Sequence, residues 1–145
     1  MKYFTIELLD ELQYPNSPSY PDAEKKWNEN IKLYQKEYEK SKKLLDESFN
    51  NFIKQHSLHD AHIINLDFHQ KKDCLDLSIT LRCRSFTGMI VHHDVSFFNL
   101  TNTGALGDYI YDEVLVSKGK LVHNILTSNY NEYAICCKQI YWNDL

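Results

Sequence analysis

The segment LDLSITLRC, residues 75–83, decides the class of the fold. Leu75, Leu77, Ile79, Leu81 and Cys83 alternate with Asp76, Ser78, Thr80, Arg82 and Arg84. A period of two places these sets on opposite faces of a β-strand, one face buried and one polar. Downstream the same period recurs. Met89, Val91, Val95 and Phe97 share a face over 89–98. Val114 and Val116, then Leu121 and Ile125, flank Ser117-Lys118-Gly119-Lys120, a hairpin signal with Gly119 available for positive φ. Tyr133, Ile135, Cys137 and Tyr141 mark a last strand, and residues 61–69 a first. These turns are too short for parallel crossovers, so the expected sheet is antiparallel, meander-like and of about six strands.

Upstream the period is helical. Phe4, Leu8, Leu9 and Leu12 fall on one face of a first helix. Pro15, Pro18 and Pro21 then form a rigid connection that a helix cannot cross. From about residue 22 to residue 55 there is neither Gly nor Pro. Trp27, Ile31, Tyr34, Tyr38, Leu45, Phe49, Phe52 and Ile53 recur at spacings near three and four. One helix of that length would be a rod of about 50 Å, longer than eight-residue strands can cover. It must bend, break, or project one end onto something else, a homodimer partner included. The expectation is an α+β fold in one domain, 1–145, with a helical front (1–57) packed on an antiparallel sheet (58–145).

Apolar residues make up 43 % of the chain and charged residues 25 %, an ordinary globular balance. The net charge of −4 argues against a nucleic-acid partner, which needs clustered Lys and Arg. The lysines at 25–43 do cluster, but Glu24, Glu29, Glu37 and Glu39 interleave with them, as on a solvated helix face. No apolar run approaches the roughly 20 residues of a membrane span, and MKYFTIELLDELQ is too acidic for a signal peptide. Cys74, Cys83, Cys136 and Cys137 form no C-x-x-C pair and no zinc-like spacing; three of them sit within apolar alternation and read as small buried hydrophobes in a reducing compartment. A soluble cytoplasmic protein is expected.

Residues 56–63, HSLHDAHI, hold three histidines and an aspartate where the period changes from helical to alternating. Such a change leaves amides and carbonyls in need of partners, and short polar side chains supply them. Asp60, with His59 and His62, is therefore expected to form a structural junction in which Asp60 bonds backbone amides or a nearby histidine, so that Asp60→Ala costs stability as a lost cap does. The alternative is chemical. If the apolar faces of three strands turn inward, His62, His93 and His123 converge as three imidazole ligands for zinc in a metal-dependent hydrolase. Other enzyme signals are weak. There is no Gly-rich phosphate loop or G-x-S-x-G elbow, and Cys136 and Cys137 sit mid-strand. Asp112 and Glu113 point to opposite strand faces and cannot act as a pair. No cofactor is expected.

The order of parts is distinctive: KYFT at 2–5, LHDA at 58–61, YDEVLV at 111–116, then KLVHNILTSNYNEYAICCKQIYW at 120–142. It resembles a group of small uncharacterised bacterial proteins with an LHD-type junction and an H-x-I-L-(T/F)-S strand. That group is similar in size and layout to immunity proteins of polymorphic toxin systems. Residues 58–61 and 123–128 match best, and the resemblance carries no catalytic residues. It implies a non-enzymatic binding protein that neutralises a toxin by protein–protein contact. Tyr109, Tyr111, Tyr130, Tyr133 and Tyr141 are the candidate contact residues, because tyrosine buries large area with little rotamer loss. Asp108, Asp112 and Glu113 would meet a basic partner.

Overall fold

A computed structural model describes residues 1–101 and 105–145. Three helices come first, α1 (Ile6–Leu12), α2 (Tyr20–Ser41) and α3 (Glu47–Gln55). Eight strands follow: β1 (His62–Gln70), β2 (Leu75–Cys83), β3 (Phe86–His93), β4 (Phe97–Leu100), β5 (Tyr109–Ser117), β6 (Lys120–Thr127), β7 (Glu132–Cys137) and β8 (Gln139–Asp144). The fold is α+β with helices before strands, as expected. The one sheet of about six strands is instead two four-stranded antiparallel sheets, ordered β1-β2-β3-β8 and β4-β7-β6-β5.

Two crossings account for the difference. The strand expected over 89–98 stops at His93; Asp94 takes a left-handed φ of 54°, and the chain continues as β4 in the other sheet. The strand expected from Tyr133 to Tyr141 crosses back at Lys138, between β7 and β8. Lys138 N donates to His93 O at 2.9 Å and Ser96 N donates to Cys136 O at 2.8 Å, so the crossings lie side by side.

The long helix is also two. After α2, Leu44 N and Leu45 N both turn back to Ser41 O, at 2.8 and 3.1 Å. Asp46 restarts the helix: its Oδ1 accepts from Ser48 N at 2.8 Å. Asn50 Nδ2 donates to Lys42 O and Leu45 O, satisfying carbonyls that the break releases. The break lets one stretch of chain cover two surfaces. α3 directs Phe49 toward His123 on β6 and stacks Phe52 on Trp142 of β8, with ring centroids 3.6 Å apart. α2 lies along β5; Trp27 and Tyr34 of its stripe pack on Tyr3, Phe4 and Tyr111, and Tyr38 packs on Tyr34. The buried core joins α3 to both sheets, with Leu77, Ile79, Leu81, Ile90, Ile125 and Ile135 fully enclosed.

Two features hold β5 in place. Tyr34 Oη accepts a hydrogen bond from Val114 N at 2.8 Å, and Ser41 Oγ donates to Val114 O at 2.6 Å. Helix side chains thus occupy backbone groups that an edge strand would otherwise leave open. The turn into β6 has Lys118 at φ 50° and Gly119 at φ 76°, the paired left-handed residues that a two-residue I′ hairpin needs.

Candidate functional site

The junction has a defined geometry. α3 ends with His56, whose ring stacks on Phe52 and meets Phe86 edge-on. Asp60 is left-handed, φ 65°; its N–H donates to Tyr109 O at 2.7 Å, and Tyr109 N donates to Ala61 O at 2.8 Å. Ile63 N reaches Gly107 O, so a short ladder joins the start of β1 to the start of β5. The Asp60 side chain is 81 % exposed and meets His59 Nδ1 at 2.9 Å. His62 Nδ1 meets Asp108 Oδ1 at 2.6 Å across the same ladder. Asp60 thus bonds a nearby histidine, one of its two expected partners, and adds a left-handed backbone angle; His59 N takes Ser57 Oγ at 3.2 Å, while the amides of Asp60 and Ala61 take carbonyls.

The strand histidines do not converge. His62 is exposed and bound to Asp108, His93 meets Asp76 Oδ1 at 2.8 Å on the outer face of its sheet, and His123 is enclosed in the core. β3 is apolar on both faces, with Ile90 and Val91 both buried, so alternation leaves its inward side ambiguous. His92 takes the inward place expected of His93.

His92 and His123 form a buried string. His92 Nδ1 faces Leu77 O at 3.4 Å, and His92 Nε2 faces His123 Nδ1 at 2.8 Å. His123 Nε2 faces both Tyr109 Oη at 3.1 Å and Asp112 Oδ2 at 3.2 Å. Burial, then the charge of His123, hold the His92 imidazole well below its ordinary range, so it is neutral. A neutral ring donating to Leu77 O must accept at Nε2, which fixes His123 Nδ1 as a donor. The string ties β3 of one sheet to β6 and β5 of the other. Of its four side chains Asp112 is the one partly open to solvent.

Between α1, α2 and the outer face of β5 and β6 runs a groove of about 540 Å³. Leu9, Leu12, Trp27, Tyr111, Leu126 and Tyr130 line it, with Glu24 and His59 at its margin. Tyr130 Oη donates to Asp10 Oδ1 at 3.1 Å, bringing a second acid from α1 to the rim. No Lys or Arg is among the lining residues.

The candidate contact residues separate accordingly. Tyr111 and Tyr130 line the groove, and Asp108 is partly exposed beside the junction. Tyr109 and Tyr133 are each 1 % exposed and belong to the core. Glu113 is fully buried, its carboxylate accepting from the N–H groups of Lys2, Tyr3 and Phe4 at 2.6–2.8 Å. It therefore anchors the amino-terminal segment and cannot meet a partner. Asp112 is engaged by His123. Trp27, Leu9 and Leu12 are groove residues that the sequence does not mark, because a stripe at helical spacing looks the same whether it fills a core or walls a groove.

A second cluster lies on the outer face of the other sheet. Cys74, Asp76 and His93 present a thiol, a carboxylate and an imidazole within 4.8 Å of one another. Lys71 Nζ ion-pairs with Asp76 Oδ2, and Asp94 N donates to Asp76 Oδ1 at 3.1 Å. Burial pushes the Asp76 acid up, but Lys71, the Asp94 amide and His93 outweigh it and hold the carboxyl below its ordinary range. Cys137, by contrast, is enclosed, and burial pushes its thiol up to about 12, far from a working nucleophile. Comparison of the chain with protein-family models, curated proteins and solved structures finds no match.

Proposed function

We propose that this chain is a non-enzymatic binding protein of the immunity type, which blocks a toxin by holding a basic segment of it in the groove between α1, α2 and β5–β6. The observation that supports the reading is an aromatic floor with an acidic margin. Trp27, Tyr111 and Tyr130 offer large rigid contact area, while Glu24 and Asp10 stand at the rim with no lining cation to offset them. An apolar side chain flanked by Lys or Arg fits that combination: burial of the anchor supplies affinity, and the acids supply orientation and encounter rate.

The experiment starts by co-purifying the chain with the products of neighbouring genes. The recovered partner is then titrated against a Trp142→Phe protein, in which Trp27 is the remaining tryptophan of two. A saturable change in Trp27 emission is expected, with affinity falling as salt rises. Glu24→Lys, an exposed change that leaves the core intact, should weaken binding roughly tenfold or more, and co-expression should protect cells from the toxin. A partner that binds the Glu24→Lys and Tyr111→Ala proteins as tightly as the parent would defeat the reading. So would the absence of both a bound protein and a toxin-type neighbour.

A further inference from the structure

We propose that the outer face of β1–β2–β3 carries a divalent transition-metal site, best matched by zinc, held by Cys74, Asp76 and His93 and completed by His69. The ligands follow from register. Cys74 directly precedes β2 and Asp76 is its second residue, with Sγ and Oδ1 4.0 Å apart. His93 ends the neighbouring β3 and already meets Asp76 Oδ1 at 2.8 Å. On the other flank His69 of β1 is paired directly with Asp76, which puts their Cβ atoms about 5 Å apart on the same face. His69 is exposed, so its ring has room to turn toward the cluster. A row His69–Asp76–His93 therefore crosses three adjacent strands, with Cys74 beside its centre.

The distances suit a small ion. Tetrahedral zinc with bonds of about 2.0–2.3 Å separates its ligand atoms by roughly 3.3–3.8 Å. Asp76 Oδ1 stands 2.8 Å from His93 Nδ1 and 4.0 Å from Cys74 Sγ, so one edge opens slightly and the other closes. Asp76 is the fixed point: its side chain is 3 % exposed, and Asp94 N holds Oδ1 in place. Thiolate, imidazole and carboxylate together form a borderline donor set that favours zinc over calcium or magnesium. On binding, Cys74 loses its thiol proton to solvent, and His93 turns a lone pair from Nδ1 to the ion with its proton on Nε2. Lys71 is the cation that neutralises Asp76 in the metal-free protein, so ammonium and metal compete for one carboxylate. This set differs from the expected trio of His62, His93 and His123, since ligands on separate faces cannot meet.

The test uses untagged full-length protein stripped with a chelator and titrated with Co²⁺, then competed with Zn²⁺. One equivalent should bind, giving a thiolate-to-cobalt charge-transfer band and the strong visible bands of four-coordinate cobalt. Cys74→Ser, a conservative change at a partly exposed position, should abolish the charge-transfer band, while Cys83→Ser should leave it intact. His93→Ala and His69→Ala should each weaken binding roughly 10- to 100-fold. Lys71→Met should tighten it, whereas a merely structural ion pair would leave metal affinity unmoved. A cobalt stoichiometry near zero, or a thiolate band surviving Cys74→Ser, overturns the site. Unchanged affinity in His69→Ala overturns the fourth ligand.

Discussion

Asp60 holds a φ of 65°, a conformation that costs most L-residues roughly 1–2 kcal/mol and glycine almost nothing. Its side chain is exposed and binds His59, while its backbone N–H serves the ladder to Tyr109. The residue is therefore selected for its backbone angle, a property that aspartate tolerates better than most. Asp60→Gly should match or exceed the parent in stability, and Asp60→Ala should fall below Asp60→Gly by about 1 kcal/mol. A lost side-chain cap would instead make both variants lose stability. Equilibrium urea unfolding of the two proteins separates these outcomes, and equal losses in both would restore the capping explanation. The position of the junction was readable in HSLHDAHI, because the period changes there. Its mechanism was not, because a left-handed angle leaves no periodic trace.

Among the elements, β5 is an edge strand held by side chains, through Tyr34 Oη and Ser41 Oγ on Val114. Burial pushes the Tyr34 phenol above its ordinary range, so it stays a protonated hydroxyl at any physiological pH. Tyr34→Phe removes the acceptor and leaves a buried amide without a partner, an expected loss of about 1–3 kcal/mol. The double variant Tyr34→Phe/Ser41→Ala leaves both buried backbone groups of Val114 without partners and should lose more stability than Tyr34→Phe alone, seen as a lower urea midpoint. A double variant as stable as the parent would mean that the cover is incidental.

The same elements mark what periodicity can convey. The strand at 75–83 and the hairpin at 117–120 stand where alternation and Lys118-Gly119 put them. A break was one of the outcomes that the length of the 22–55 stretch allowed, but its place at 42–46 was hidden because its signals, Asp46 and Ser48, sit inside an otherwise helical stripe. The sheet crossings at Asp94 and Lys138 were hidden because apolar residues continue on both sides of them. Pairing order is set by contacts remote in sequence, so two sheets and one sheet present nearly the same local pattern.

At the scale of the whole molecule, the two sheets meet through a polar thread inside an apolar core. His92 on β3 touches His123 on β6, and His123 touches Tyr109 and Asp112 on β5. Buried polar groups are tolerable only when each has a partner, so this thread specifies which faces oppose one another. It also makes stability depend on pH. His92 is held neutral in the folded protein by burial and by His123, whereas in the unfolded chain it titrates near 6.5. Above that value both states are neutral and the stability is full. As pH falls below it, the unfolded chain takes up a proton that the folded protein refuses. Stability then drops by as much as about 1.4 kcal/mol per pH unit until the lower folded value is reached. The lowered carboxyls Asp46 and Asp76 act in a different window, since their loss begins only near the ordinary carboxylate value of 3.8. Between about pH 6.5 and 4.5 the slope therefore reports His92. His92→Gln keeps an acceptor for His123 and removes the titrating ring, so it should flatten the slope while lowering stability at pH 7.5. Urea midpoints for both proteins at pH 7.5, 6.0 and 5.0 provide the comparison. A parent whose stability is constant across that range, or a variant with the parent's slope, would show that the thread carries no proton linkage.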